Sequence, residues 1–514
     1  MADAGKLSFT KRLSLFTPTV FFLTIYLSLA TLNFGYDVGS FAGVQALSPF
    51  AKRFGHYDRT SETWALPSYL ASLMNSLPFV GKLIGALTCG PIAEKYGRRI
   101  AVAVMACISL VGVTLQTSAT TAAQFTLGRI INFAMTGFCI VVTPIYQSEC
   151  SPPPLRGMIS STIQFQILLG QVISSLVNLG TSHMDTDAAW QIPVGLQFVV
   201  PAFMLGLLPF MPESPRWLVS KGRLEQAQCC LSRLRNKEAD DPTISEEIRN
   251  LQHDHSNESK GRWKELFDDA NRTRTWIAIL VMFFQQITGQ AFVSQYSVSF
   301  YKTQKIADPF LLNVIQNLVS MICNMITFTY VDSLGRRPLL LVGSFLMASF
   351  LIALGGLATT PHPSESQKNA MAASMMIAFG FYGLSWAPIS YIVLGEVSNS
   401  RVKEKTSNLA VSISVITTFI VSFTVPYLIN APYAHLGGKV GFLYGGITFV
   451  SVAVAYFYVP ELKGLSLEEV DRLFATGRPV RRLSGRTLVL AHDDDTTMNK
   501  PWDSVSSWAS RCTY

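Results

Sequence analysis

The stretch Gly90–Arg99 reads GPIAEKYGRR, and VDSLGRRP at Val331–Pro338 repeats its ending. Each stretch follows a long apolar run and places an acidic residue a few positions before Gly-Arg-Arg. A second pair repeats in the same way, with PIYQSECSPPPLRG at Pro144–Gly157 and PISYIVLGEVSNSRVKEK at Pro388–Lys405. In each case an acid closes an apolar run and arginine follows a few residues later. The repeats therefore predict a chain built from two related halves.

Long apolar runs surround these repeats. The chain has 514 residues, of which 49% are hydrophobic and only 14% are charged, whereas a soluble globular protein is about one quarter charged. About twelve runs have roughly the 18–25 residues that a helix needs to cross a bilayer. They lie near 18–45, 65–91, 99–117, 122–146, 158–180, 190–212, 274–301, 309–332, 338–358, 370–395, 406–430 and 438–459. We predict an all-α membrane protein with twelve transmembrane helices in two pseudo-symmetric six-helix bundles.

A polar stretch in the middle of the chain separates two sets of six runs. Within it, GRLEQAQCCLSRLR and TISEEIRNLQ have the apolar spacing of short amphipathic helices. The predicted domains are a cytoplasmic N-terminus, a first six-helix bundle, a linker with short helices, a second six-helix bundle and a cytoplasmic tail, at 1–17, 18–212, 213–273, 274–460 and 461–514.

The net charge of +8 is concentrated at the ends of the apolar runs. With twelve spans, almost all basic clusters fall on one side of the membrane, and the loop 52–64 is the exception. The positive-inside rule makes that side the cytoplasm, where both termini would also lie. We expect no removable signal peptide, because no cleavage-site pattern follows a short apolar core. Nucleic-acid binding is not indicated, since the basic residues form no continuous patch.

Enzyme signatures are missing from the sequence. The eight cysteines are scattered without the spacing of a zinc site or a disulfide framework, and the seven histidines are dispersed. We find no catalytic triad spacing, no phosphate-cradling loop and no metal-ligand cluster. We therefore predict no enzymatic activity, no cofactor, no metal and no obligate protein partner.

One carboxylate interrupts the first apolar run. Gly35, Gly39 and Gly43 are four residues apart, so they share a helix face and allow close helix contact. Asp37 is two residues from Gly35 and is turned roughly 200° away from that face. An acid in hydrocarbon is costly and usually marks an ion or substrate path. We expect Asp37 to point away from the glycines, into a central cavity.

Other polar side chains inside the runs recur at helical spacing. Gln164 and Gln171 are seven residues apart and share one face, and Gln285 and Gln286 lie together in the seventh run. Amides both donate and accept hydrogen bonds, so they suit hydroxylated ligands, although in a membrane helix they also join neighbouring helices. Lys82 has three interpretations: snorkelling to the interface, pairing with Asp37, or holding an anionic substrate.

Several motifs occur together in a fixed order. They are Gly-Arg-Arg after the second and eighth runs, GRI at 128–130, PESPRWL at 212–218, QQITG at 285–289 and PELKGLSLEEVDRLF at 460–474. With these motifs the chain resembles the sugar porter family of the major facilitator superfamily from about residue 20 to 475. GEVSNSRVKEKT at 395–406 and PYLINAPYAHLGGKVGF at 426–442 are most similar to the fungal α-glucoside (maltose-type) permease and hexose transporter branch.

The resemblance implies roles for individual residues. Asp37 and Arg129 would form a proton-coupling pair, although a static ion pair is the alternative. The substrate would contact Gln164, Gln171, Gln285, Gln286 and Trp386, with Lys82, Asn317 and Asn324 as further candidates. A cytoplasmic gate would consist of acid–arginine sets, namely Glu94, Arg98, Arg99, Glu149, Arg156, Asp332, Arg336, Arg337, Glu396 and Arg401. Pro212, Arg216 and Trp217 would belong to the same latch.

The resemblance also implies a plasma-membrane carrier that works by alternating access. Its expected function is proton-coupled import of an α-glucoside or hexose, with protons, a sugar or polyol and the lipid bilayer as its only partners. Ala291 and Ser414 depart from polar positions of the family, and with Lys82 they favour the alternative of a carrier or exporter of a non-sugar polyhydroxy metabolite. An uncoupled sugar facilitator and a nutrient sensor are also compatible with the sequence.

Overall fold

We analysed a computed structural model of the chain. The structure describes residues 16–58, 63–238, 240–257, 261–306, 308–399, 401–430, 433–465, 467–475, 480 and 483. The side chains of Arg156 and Asp332, two of the predicted gate residues, lie outside the described part of the chain.

Twelve helical segments of the described chain are long and apolar enough to cross a membrane, which confirms the predicted number. We name them spans 1 to 12 in chain order: Pro18–Val44, Ser68–Tyr96, Arg98–Thr117, Ala122–Cys150, Thr162–Thr181, Ala188–Phe210, Asn271–Gln295, Pro309–Val331, Arg336–Leu357, Glu365–Val397, Lys403–Ile429 and Gly437–Tyr458. Several helices extend beyond their apolar runs, because a helix continues into the polar interface after the hydrocarbon ends.

Some spans are built from more than one helix. Span 2 combines Ser68–Ser76 with Pro78–Tyr96, span 6 combines Ala188–Gly195 with Val199–Leu207 through 3-10 turns, span 7 combines Asp269–Ile287 with Gln290–Gln295, and span 10 combines Glu365–Leu384 with Trp386–Val397. The helices of spans 5, 8 and 12 are Pro153–Thr181, Pro309–Leu334 and Val440–Tyr458. These breaks matter because they free backbone groups in the interior, where neighbouring helices or a bound molecule must satisfy them.

The packing of the spans follows the internal repeat. In the first half, span 4 packs on spans 2 and 3, and span 1 packs on span 5. The second half repeats this arrangement with spans 10, 8 and 9, and with spans 7 and 11. The halves contact each other through spans 2 and 11 and through spans 5 and 8. The two-bundle architecture is therefore confirmed, while the exact domain boundaries stay predictions.

The polar segments gather at the two ends of the bundle. One end, here called the basic end, carries both Gly-Arg-Arg turns and the linker helices Pro215–Ser220, Leu224–Arg235 and Pro242–Asn257. The other, here called the hairpin end, carries the helix Ser48–Phe54 and an antiparallel hairpin of β1 (His56–Asp58) and β2 (Thr63–Ala65). The short helix Leu467–Ala475 lies at the basic end, where Asp471 pairs with Arg274.

The glycine seam of span 1 packs as predicted. A Cβ atom at Gly35 would meet the Ile167 carbonyl, one at Gly39 would meet Ser174, and one at Gly43 would meet Asn178. All three neighbours belong to span 5. The missing side chains therefore set the distance between these two helices of the first half.

Adding a side chain to this seam should destabilise the protein. We expect Gly39→Val to lower the free energy of unfolding in detergent by about 1–3 kcal/mol, because overpacking forces neighbours to shift. Gly180→Val in span 5 is the control, since no neighbouring atom lies within 4 Å of the place that its Cβ atom would take. Equal stability of the two variants would contradict the seam.

Candidate functional site

Two helix breaks bring the predicted sugar-binding residues together. Span 7 breaks at Gly289, whose φ of 92° favours glycine. Span 10 breaks at Ser385, one residue before Trp386. The Gln285 amide donates to the backbone carbonyls of Trp386 and Ala387 at 3.4 and 3.3 Å, and Gln286 donates to Gln285 at 3.0 Å. The structure thus places Gln285, Gln286 and Trp386 side by side.

Trp386 is wholly buried, with 0% of its surface exposed. Its indole N–H donates to the Ser344 hydroxyl of span 9 at 2.7 Å, and its ring lies 6.3 Å from that of Phe284. The predicted stacking of this ring on a sugar therefore has no open surface in this conformation. It requires the second half to open around span 10.

The amides of span 5 divide into bonded and unbonded groups. Gln166, which the sequence did not single out, donates to Ser28 at 2.6 Å and accepts from Thr31, so it ties span 5 to span 1. Gln164 is half-buried and Gln171 is buried, and neither side chain has a hydrogen-bond partner among the described residues. Gln164 and Gln171 therefore keep their amide groups available for a ligand.

The two candidate asparagines of span 8 are buried in helix contacts. Asn317 donates to Asn313 at 3.4 Å, and Asn324 donates to the Gly383 carbonyl of span 10 at 3.4 Å. Asn324 is fully buried, and its carbonyl oxygen has no partner among the described residues. Such amides join neighbouring membrane helices, so Asn324 lies at the contact between spans 8 and 10.

Asp37 lies inside the first half rather than in a cavity between the halves. Only 2% of its surface is exposed, and its carboxylate faces the amides of Asn132 in span 4 and Gln197 in span 6. The expectation that it points into the central cavity is wrong, because spans 4 and 6 cover the face of span 1 opposite the glycine seam. Asn132 accepts from Ser109 at 3.0 Å and donates to Gln197 at 2.8 Å. This polar network of Asn132, Gln197 and Ser109 was missed, since single amides in apolar runs carry no sequence pattern.

Arg129 is the charged group that acts on Asp37. No direct ion pair joins the two described side chains; the Arg129 guanidinium lies instead 3.7 Å from the ring centroid of Phe41, one turn beyond Asp37. Arg129 is 3% exposed. Within the described part of the chain its Nε and Nη1 atoms have no partner, and neither has Oδ2 of Asp37. Buried polar atoms are rarely left without partners, so this arrangement can rearrange or accept a proton.

Lys82 does not pair with Asp37 or with any other carboxylate of the described residues. Its ammonium lies 4.7 Å from the ring centroid of Phe34 in span 1, and its side chain is half-buried. The suggested pairing with Asp37 is therefore not seen.

The basic end contains two equivalent ion pairs, one in each half. Arg98 donates to Glu149 through Nε and Nη2 at 2.8 and 2.7 Å, with 14% and 9% of the side chains exposed. Arg336 pairs with Glu396 at 2.8 Å. In each half, the structure thus joins an arginine of the Gly-Arg-Arg turn to the acid of the second repeated motif, Glu149 or Glu396. Arg401 pairs instead with Glu265 of the linker at 3.3 Å.

Two glutamates complete this arrangement, although the sequence analysis did not select them. The Glu213 carboxylate accepts from the backbone N–H groups of Arg98 and Arg99, at 2.9 and 3.3 Å, and Glu461 accepts from those of Arg336 and Arg337, at 3.2 and 3.0 Å. Carboxylates stabilise helix N-termini in this way. Burial raises the pKa of Glu213, and its backbone hydrogen bonds oppose that effect. The shared Pro-Glu of PESPRWL and PELKGL was the available signal.

The remaining predicted gate residues lie around the same turns. The Glu94 carbonyl accepts from the indole of Trp217 at 2.9 Å, and Ser214 caps the helix that carries Trp217. Arg99 donates to the Leu208 carbonyl at 3.2 Å, and Arg337 to that of Tyr456. These contacts fasten span 2 to the linker, span 3 to span 6, and span 9 to span 12.

The halves are joined by hydrogen bonds at the hairpin end. The Gln45 amide donates to the Gln295 carbonyl at 2.5 Å, and Ser72 donates to the Phe423 carbonyl at 2.8 Å. Lys302 donates to the Ala46 carbonyl at 2.7 Å. These bonds close the hairpin end, while the described ion pairs Arg98–Glu149 and Arg336–Glu396 at the basic end each run within one half.

The known proteins to which this chain is similar are membrane transporters. A family model described as "Sugar (and other) transporter" matches residues 23–474. The major facilitator-type transporter ecdD of Aspergillus rugulosus is 31% identical, with 87% of this chain and 86% of that protein covered. The low-affinity glucose transporter HXT1 of Saccharomyces cerevisiae is 30% identical, with 89% and 82% covered. The inward-open xylose transporter XylE of E. coli has a TM-score of 0.73 at 22% identity, with 88% and 99% covered.

The buried ion pair at the basic end should couple its two residues strongly. In a double-mutant cycle of Arg98→Ala and Glu149→Ala, we expect a coupling free energy of about 1–3 kcal/mol in detergent unfolding, because truncating one partner leaves a buried charge. The exposed pair Arg272–Asp269, with 62% and 98% of the side chains exposed, is the control. Its expected coupling is about 0.5 kcal/mol. Similar values for both pairs would show that Arg98 and Glu149 do not act as a latch.

Proposed function

Because the chain belongs to the sugar (and other) transporter family, we propose that it imports a hexose or an α-glucoside together with a proton, by alternating access. The relatives are glucose and fructose transporters and a major facilitator-type transporter, so the hexose is the better supported of the two substrates. Transport and not catalysis is the activity of this family. The observation that carries the coupling is the buried Asp37 carboxylate, whose Oδ2 has no partner among the described residues, beside a buried arginine.

The proposed proton step uses the environment of Asp37. In one state the carboxylate takes a proton, since an ionised acid without an ion pair is costly in a low-dielectric interior. In the other state Arg129 moves from Phe41 towards Asp37, stabilises the carboxylate and releases the proton. One proton crossing about 100 mV supplies about 2.3 kcal/mol, which is roughly 50-fold accumulation of a neutral substrate.

The proposed sugar site lies between the halves. Gln164 and Gln171 offer amides from span 5, and Gln285 and Gln286 offer amides from the broken span 7. Neutral hydrogen bonds of this kind orient a hydroxylated ligand within a mostly apolar cavity. Trp386 would join the site when the second half moves, because its ring is covered in the present conformation.

The proposed gate works through the two ends. The described conformation has its hairpin end closed by Gln45, Ser72 and Lys302. The alternative state would open that end and bring the halves together at the basic end, where the ion pairs and the caps Glu213 and Glu461 hold each half rigid. The positive-inside rule places the basic end and both termini in the cytoplasm of a plasma-membrane protein. The present state then faces inward.

One rival function has specific support. Ala291 is buried and Ser414 lacks an amide, so two positions near the site offer little hydrogen bonding. The relative ecdD is described only as a major facilitator-type transporter. A carrier of a different polyhydroxylated compound, or a facilitator without coupling, would use the same fold. Uptake of a labelled sugar panel in carrier-deficient cells, with and without a protonophore, separates these functions.

Neutralising Asp37 should abolish accumulation of the sugar against its gradient but not its equilibration across the membrane. We expect Asp37→Asn to equilibrate the sugar across the membrane while losing uphill uptake, because an amide cannot carry the proton. The measurement is the ratio of internal to external sugar at several external pH values. Asp187→Asn, the same change at an exposed position of the first half, is the control. Accumulation by Asp37→Asn equal to that of the parent at every pH would rule out Asp37 as the coupling group.

Removing an unbonded amide should weaken substrate binding. We expect Gln164→Ala to raise the KM for the transported sugar roughly 5- to 10-fold, the effect of one lost neutral hydrogen bond. Gln166→Ala is the matched control, because its amide is already occupied by Ser28 and Thr31, and it should affect stability rather than KM. If both variants shift KM equally, the Gln164 amide does not bind the substrate as proposed.

A further inference from the structure

Lys82 lies at the midpoint of span 2. It is equidistant from Ser68 and Tyr96, the ends of span 2. The first charged residue towards the basic end is Glu94, about 18 Å away along the helix at about 1.5 Å per residue. A lysine side chain reaches about 6 Å. Snorkelling therefore does not account for it.

The surroundings of Lys82 do not neutralise its charge. The Phe34 ring is its cation–π partner, and no carboxylate of the described residues pairs with it. A cation–π contact recovers only part of the cost of removing an ammonium from water. Ionisable groups inside a membrane protein usually face a partner, a cavity or a substrate. Since the described residues offer no anionic partner, the complementary charge is expected from a bound molecule.

The position of Lys82 allows such a molecule to reach it. Phe79 and Leu83, which flank it on span 2, pack with Phe133 of span 4 and Val415 of span 11. This apolar cluster, here called the plug, is formed by both halves. Val38 joins the plug, and Phe34 lies one turn from Val38 towards the basic end. Lys82 thus lies half-buried beside a seam between the halves, where a moving carrier exposes and covers its substrate.

We propose that Lys82 binds the carboxylate of an anionic substrate, so that the preferred cargo is a hexose-sized sugar acid rather than a neutral sugar. This inference rests on the proposed transport function and narrows its substrate class. The amides of spans 5 and 7 would hold the hydroxyl groups, and the ammonium would hold the carboxylate. A charge-assisted hydrogen bond to a carboxylate is roughly twice as strong as a neutral one. A neutral hexose would leave the Lys82 charge uncompensated.

Matched substrate pairs provide the test. D-Glucuronate and D-glucose differ only in the carboxylate at C6, and D-galacturonate and D-galactose differ in the same way. We would measure kcat/KM for each labelled compound in cells that lack endogenous carriers for them. The parent protein should prefer each acid over its neutral partner at least about tenfold. Lys82→Gln should reduce that preference at least about tenfold, and Lys82→Arg should retain most of it.

Lys95→Gln is the matched control, because it removes an exposed positive charge from the basic end of the same span. It should leave the acid-to-neutral ratio unchanged, and surface expression of each variant is measured in parallel. Transport of the neutral sugars without the acids would overturn this inference while the proposed sugar transport stands. So would an unchanged ratio in Lys82→Gln. Transport of none of the four compounds would overturn the inference, and with it the hexose import named in the proposed function.

Discussion

Among the residues that the structure describes, the hydrogen bonds seen between the two halves lie at the hairpin end, and this constraint organises the rest of the structure. Gln45, Ser72 and Lys302 bind backbone carbonyls of the opposite half or of its neighbouring loop. Helix–helix contacts in a membrane depend on such specific bonds and on close packing, since lipid is as apolar as the helices themselves. We propose that two bundles bonded to each other at one end can separate at the other. A site between them is then open to one side at a time.

Each half contains its own ion pair at the basic end, and this pair joins two neighbouring spans of the same half. Arg98 and Glu149 join spans 3 and 4, and Arg336 and Glu396 join spans 9 and 10. These ion pairs fit the proposal that each bundle moves as a unit. Asp37 lies in the interior of the first bundle, Arg129 interacts electrostatically with both Asp37 and Tyr296 of the second half, and Lys82 lies beside the seam. Their separate locations suit the separate tasks that we propose for them, namely proton binding for Asp37 and substrate binding for Lys82.

The sequence predicted the architecture well because each bilayer crossing needs its own apolar run, and the repeated Gly-Arg-Arg turns revealed the two halves. Gly35, Gly39 and Gly43 were also interpreted correctly, since their four-residue period fixes one helix face. Single polar residues were harder to place. The direction of Asp37 depends on how spans 4 and 6 surround span 1, and the role of Glu213 depends on a turn 115 residues earlier. Neither relation leaves a periodic trace in the sequence.

The central claim is that the halves rock, so that one end opens as the other closes. Spin labels test it most directly, in a protein whose native cysteines are replaced. One label pair would be at Thr120 and Thr359 at the hairpin end, and the other at Tyr96 and Leu334 at the basic end, all exposed positions. We predict two populations at each end, with opposite shifts when pH or substrate changes. Distances that change at one end alone, or in the same direction at both ends, would contradict the account.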